Sequence, residues 1–225
     1  MKEYLKLSES DLKKIGGLVD PGEVFAPVES QKGWYISNFG RLISFRRNEP
    51  CVMKTFFRNG YEYIITRNTV NGKRIATQHA IHKMVADAFL EVPDWIKEGD
   101  VIEIHHFEKV NKKKRIPFIH RAENLGHAPK CIHRVIDAVE EVAIYENDKY
   151  ESYEFIEASF KLGIDPYQLA DIVREEADLI VGRYMYYYRT IKRGNKAVDI
   201  NIRVKRYGKT LDIYRKKKLI RKVGV

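Results

Sequence analysis

Apolar residues recur along this chain with two periods, and the periods mark out its elements. Ile81, Met84, Val85, Ala88 and Phe89 share one face at helical spacing, which predicts a short amphipathic helix over Ile81–Phe89. Asn38-x-Gly40 and Asn71-Gly72 are turn signals, each set between strand-like runs. Glu141–Tyr145 reads as a strand. Ser152 is placed to cap a helix running through Lys161 and carrying Phe155, Ile156, Ser159 and Leu162, which Gly163 ends. Asp165-Pro166 supplies a cap and a first position for a second helix with Leu169, Ile172 and Val173 inward. Tyr184–Tyr188 returns as a strand. Finally Ile200, Ile202 and Val204 alternate with Asn201, Arg203 and Lys205, so Val198–Arg206 and Thr210–Arg221 predict a basic C-terminal hairpin.

These elements predict an α+β fold, elongated and modular rather than one large domain. The expected partition is an N-terminal extension over 1–24, a small β-rich platform over 25–99 and a central core over 100–136. A helix-turn-helix-like module follows over 137–193, and the basic hairpin over 194–225.

Charge sharpens the picture. The chain totals +10, which suits a polyanionic partner without proving one. From Arg183 to Val225 there are 15 Lys/Arg against two acids, whereas Asp137–Gly182 holds 13 acids against three bases. A helix-turn-helix reader of DNA would normally be basic, so either its DNA-facing side is locally neutral or the flanking tail does the holding. A second possibility is that the two segments neutralise each other. Two cysteines, Cys51 and Cys131, exclude a disulfide framework and a four-cysteine zinc staple. No window is long and apolar enough to cross a membrane, and Met1–Lys6 lacks a signal-peptide core, so a cytoplasmic setting without membrane contact is expected.

The chemistry concentrates in one short stretch. His105 and His106 are adjacent, Asn124 follows, and His133 comes nine residues after it. Imidazole serves both as a general base near neutrality and as a metal ligand. This series resembles the HNH (ββα-metal) nuclease motif, which implies a short hairpin whose first arm ends in the two histidines and whose second starts at the asparagine, then a helix with Pro129 near its start and His133 about one turn in. The resemblance implies that His105 and His133 ligate one divalent ion and that His106 is the general base. It further implies that Asn124 fixes the hairpin and orients His106. Mg or Mn is the expected ion, and a histidine pair also accommodates Zn or Ni. His127 reads as an ordinary strand-end histidine that could face the cleft, and His120, in a basic loop, either contacts phosphate or is simply solvated. His79 and His82, beside the Ile81–Phe89 helix, are expected to pack or hydrogen-bond.

Upstream, Gly33-Trp34-Tyr35-Ile36-Ser37-Asn38-Phe39-Gly40-Arg41-Leu42-Ile43-Ser44 resembles the NUMOD4 module that precedes HNH motifs in phage and intron-encoded homing endonucleases. Its continuation includes Gly60–Ile65, Asn71-Gly72-Lys73 and His82–Phe89. Glu141–Arg189 has a weaker likeness to the NUMOD1-type helix-turn-helix, with Gln168 on its second helix. Together the resemblances cover roughly residues 24–190 and imply a site-specific homing endonuclease acting on double-stranded DNA as a monomer. Arg41, Gln168, Lys112, Lys113, Lys114 and Arg115 are the expected DNA contacts before the tail. Arg203, Lys205, Arg206, Lys216 and Lys217 are those expected within it. The expected reaction is in-line attack by water that His106 deprotonates, with the ion offsetting charge on the phosphate. The alternative is a non-catalytic DNA-binding protein with a degenerate HNH site.

Overall fold

A computed structural model describes residues 4–206 apart from 48, 71, 72, 182, 194 and 195. The described chain is α+β, with its strands in antiparallel sheets. It forms two compact units, Met1–Asp94 with Ile102–Ala128, and Trp95–Val101 with Pro129–Val225. The partition therefore differs from the five segments expected. Asn38 explains part of the difference. Its main-chain carbonyl accepts from Ala122 N at 2.7 Å, tying the platform to the hairpin segment, and its side chain spans Val24 N and Gly22 O.

The first unit opens with helix α1 (Glu9–Ile15). Ser8 and Asp11 form a capping box at its start, and Gly16 closes it at φ 79°. Strands β1 (Phe25–Pro27), β2 (Trp34–Ser37), β3 (Leu42–Ser44) and β4 (Cys51–Val52) form one sheet in that order. The Asn38-x-Gly40 signal turns β2 into β3, with Gly40 at φ 85°. Strands β5 (Phe56–Arg58), β6 (Tyr61–Val70) and β7 (Lys73–Ala80) form a second sheet. Its long hairpin pairs from Tyr63↔Ala80 to Val70↔Lys73, and Asn71-Gly72 itself lies outside the described residues. Helix α2 (Ile81–Phe89) has the bounds that its periodicity predicts. Ile81, Met84 and Val85 are buried against Trp34, Ile36, Leu42 and Leu125. Strand β8 (Ile102–His106) then pairs with β9 (Leu125–Pro129).

The second unit begins as β9 ends, with α3 (Lys130–Ala138), β10 (Val139–Glu146) and β11 (Lys149–Tyr153). Helices α4 (Phe155–Leu162) and α5 (Pro166–Arg174) follow, then β12 (Leu179–Val181), β13 (Tyr184–Arg193) and β14 (Lys196–Arg206). Asp165 and Gln168 close a capping box on α5, with Pro166 in its first turn. Gly163 ends α4 in the left-handed region, φ 67°. Ser152 does not cap α4, because it pairs with Ala143 inside β11 and Glu154 takes the cap position.

The larger correction concerns the tail. The sheet order is β11-β10-β14-β13-β12, so β14 is its central strand rather than one arm of a separate hairpin. Ile200, Ile202 and Val204 point into the core beside Val142, Met185, Tyr187, Leu162 and Leu169. The facing charges meet acids on β10: Lys205 Nζ stands 2.6 Å from Glu140 and Arg203 Nη2 3.5 Å from Glu141. Neutralisation between the acidic and basic segments is thus what these residues do. Segment 210–221, the expected second arm, lies outside the described residues.

Candidate functional site

The hairpin that carries the paired histidines is clamped by Asn124. This residue is only 3% exposed. Its Oδ1 accepts from Glu108 N at 2.6 Å, its Nδ2 donates to Ile119 O at 2.6 Å, and its own carbonyl accepts from Phe107 N at 3.1 Å. A carboxamide carries its donor and its acceptor on separate atoms, so it can bridge two backbone groups at once. Here it joins both ends of the 107–119 segment and so fixes where β8 ends. Arg121 adds an ion pair to Glu108. Replacing Asn124 with Ala leaves two backbone groups unpaired, at about 1–3 kcal/mol each. Asn124→Ala is expected to lower the urea midpoint of the first unit clearly. An unchanged midpoint would show that the clamp is dispensable.

His106 ends β8, and its Nε2 lies 3.0 Å from Nδ1 of His120. His120 is 3% exposed, and its Nε2 lies 3.2 Å from Glu62 N. A backbone N–H can only donate, so Nε2 of His120 accepts and the proton of that neutral ring sits on Nδ1. It follows that His120 donates to His106, whose Nε2 lone pair is engaged. Glu62 N–H, His120 and His106 thus form a directed chain of hydrogen bonds. Tyr61 stacks on His120 with ring centroids 6.1 Å apart and planes 7° apart. His82 completes the group, its ring 5.4 Å from that of His106.

His82, His106 and His120 have ring nitrogens within 4.8 Å of one another and could hold a metal ion. Coordination through Nδ1 of His120 would put its remaining proton on Nε2, facing the Glu62 N–H. The hydrogen-bonded chain is therefore the arrangement that these donors favour. Burial pulls His82 down to about 4, helped by the neighbouring His120 and Lys83. Burial likewise brings His120 to about 4, with His106 and then Arg115 adding to the shift.

Those two rings make stability depend on pH. Both stay neutral in the folded chain down to about pH 4, whereas unfolded histidine takes up a proton near 6.5. Between those values the unfolded chain holds more protons, so stability is full above pH 6.5 and falls as the pH drops towards 4. The loss is on the order of 3 kcal/mol for each ring. It should appear in urea titrations reported by Trp34 in a Trp95→Phe background. His82→Phe should flatten the dependence, and an equally steep fall in that variant would remove His82 from the account.

The remaining predicted site residues lie on β8 and α3. His105 lies on β8, its ring edge-on to Phe107 at 5.4 Å. His133 lies on α3, in the second unit, and its Nε2 is 3.6 Å from Asp137 Oδ1 one turn on. Asp137 was not among the expected site residues, although its four-residue spacing from His133 was a readable signal. His120, His82 and Tyr61 were also not assigned to the site. No local pattern joins three residues so far apart in the chain. His127 Nδ1 meets Glu91 O at 3.1 Å, and His79 Nε2 meets Thr66 Oγ1 at 2.9 Å.

Several expected DNA contacts are engaged inside the protein. Arg41 Nε sits 3.0 Å from buried Glu23, and its Nη2 donates to Gly17 O at 2.9 Å. Arg206 is a correction. It is 3% exposed, donates to Val173 O and Tyr187 Oη, and so serves the C-terminal end of α5 rather than a phosphate. Gln168 is exposed, but its amide oxygen accepts from Asp165 N in the capping box. Arg115 reaches Glu62 at 3.3 Å. Lys112, Lys113 and Lys114 are exposed, on a turn that Asn111 Oδ1 organises by accepting from Lys113 N and Lys114 N. Lys216 and Lys217 lie outside the described residues. No helix among the described residues is long and apolar enough to cross a membrane.

No family model, curated protein or solved structure matches the chain.

Proposed function

We propose that this protein is a metal-dependent DNA endonuclease of the HNH type, acting site-specifically on double-stranded DNA in the manner of homing enzymes. One observation carries the reading. His105 and His106 end a strand whose outgoing loop is clamped by Asn124, and the partner strand leads straight into a helix bearing His133 and Asp137. Strand, clamped loop, strand and helix come in the order that the sequence resemblance requires.

The donor chemistry fits a divalent ion, because imidazole and carboxylate together suit Mn, Mg or Zn. His105 and His133 take the ligand roles on the strength of the resemblance, and Asp137 adds a carboxylate beside His133. Bound there, the ion would offset negative charge on the attacked phosphate and its leaving oxygen. His106 removes a proton from water, and Nε2 is the nitrogen that receives it. His120 must first release that nitrogen, so the base is held in reserve until its hydrogen bond opens. Asn124 keeps the strand end fixed while this happens. The exposed Lys112–Lys114 turn and a net charge of +10 suit contact with a phosphate backbone.

The engaged Nε2 also favours a second reading, a DNA-binding protein in which the site no longer cuts. Plasmid nicking separates the two. With Mn²⁺ or Mg²⁺ the supercoiled form should convert to nicked or linear DNA, and EDTA should stop it. Retarded but uncut DNA in every metal tested would establish the second reading instead.

A further inference from the structure

The five-stranded sheet of the second unit has two unlike faces. One carries Val142, Ile144, Met185, Tyr187, Ile200, Ile202 and Val204 into the core with α4 and α5. Strand alternation puts Tyr145, Tyr150, Tyr184, Tyr186 and Tyr188 on the other. Cross-strand register aligns them. Tyr145 lies opposite Tyr150, Tyr184 opposite Lys205, Tyr186 opposite Arg203, and Tyr188 opposite Asn201.

The rings form a connected surface. Tyr145 and Tyr150 have centroids 5.0 Å apart, and Tyr150 and Tyr186 are 6.3 Å apart. The Arg203 guanidinium lies 4.7 Å from the Tyr150 ring and 4.9 Å from that of Tyr184. Tyr150 donates its hydroxyl to Asn201 Oδ1 at 3.2 Å. Tyr188 is 52% exposed and Tyr145 39%. A contiguous patch of aromatic rings with an arginine among them marks a binding surface, as scattered exposed rings would not.

We propose that this face binds single-stranded nucleic acid, with bases stacking on the tyrosines and phosphates running past the basic side chains. Tyrosine and arginine planes are the platforms on which unpaired bases stack, whereas a duplex hides its base faces. Arg203 and Lys205 lie on the face and are balanced by Glu141 at 3.5 Å and Glu140 at 2.6 Å, so the rings rather than the net charge of the face select the occupant. The sequence that follows, 207–225, holds seven Lys/Arg against one acid. The inference does not depend on whether the protein cuts DNA.

The test uses the full chain, with EDTA present to prevent cleavage. Fluorescence anisotropy would follow a labelled 15-nucleotide oligo-dT and, separately, a duplex of equal length. Tyr188→Ala should weaken oligo-dT binding by roughly 5- to 100-fold, the range for loss of one stacked base, with duplex binding unchanged. Tyr188→Phe should bind like wild type, because the ring rather than the hydroxyl does the work. Tyr145→Ala, also at an exposed position, provides a second reading should Tyr188→Ala fold poorly. Equal losses on single strand and duplex would overturn the proposal. So would alanine variants that bind oligo-dT as wild type does, including the case in which the face instead pairs two copies of the chain.

Discussion

His106→Ala should abolish metal-dependent nicking while leaving DNA affinity within a few fold. The imidazole is half-buried at the end of β8 and faces His120, so its loss removes a base without removing a surface cation. Removing a general base typically costs about 10²–10⁴ in rate, so residual cutting should remain measurable at high protein concentration. His120 then supplies a control. His120→Ala deletes the donor that occupies His106 Nε2, and under the proposed chemistry it should not abolish nicking as His106→Ala does. If both variants lose cutting and binding in parallel, the histidines hold the fold and the catalytic assignment fails.

Local order was legible and long-range assembly was not. Helix α2 begins and ends where its apolar period does, and α5 begins at Asp165-Pro166, because caps and periodicity act over a single turn. The strand carrying His105 and His106, the position of Asn124 and the helix carrying His133 were expected from the resemblance to the HNH motif, not from caps or periodicity. His82, His106 and His120 meet only because β8, α2 and the loop before β9 pack together, and no spacing rule encodes that. The basic strand Val198–Arg206 illustrates the opposite error. Its alternation was clear, but alternation does not say which strands lie alongside, and the facing cations suggested a phosphate partner. Their partners are Glu140 and Glu141, about 60 residues earlier in the chain. Arg206 misleads further, since a charged residue at the end of a basic run would ordinarily be exposed. The free carbonyls at the end of α5 explain its burial.

Ending the chain after Arg193 should therefore destroy the second unit rather than simply weaken DNA binding. The cut deletes β14, which hydrogen-bonds to β10 on one side and β13 on the other. It removes the buried side chains of Ile200, Ile202 and Val204, each worth about 1.5–3 kcal/mol. It also uncovers two strand edges and leaves Glu140 and Glu141 without Lys205 and Arg203. The apolar loss alone approaches the 5–15 kcal/mol that typically holds a domain together. Limited proteolysis should degrade residues 129–193 in this truncation while sparing the first unit. A stop after Tyr207 makes the informative contrast, because it retains β14 and discards the seven cations that follow. That variant should stay folded. If those cations lie along phosphates, every cation–phosphate pair removed should reduce the slope of log affinity against log salt by about 0.9 on duplex DNA. Arg203→Ala and Lys205→Ala should hardly change that slope, because their charges are already balanced by acids on β10. A protease-resistant second unit in the Arg193 truncation would mean that β14 is not the centre of its sheet. A steep change of salt slope in Lys205→Ala would mean that its pairing with Glu140 yields to DNA.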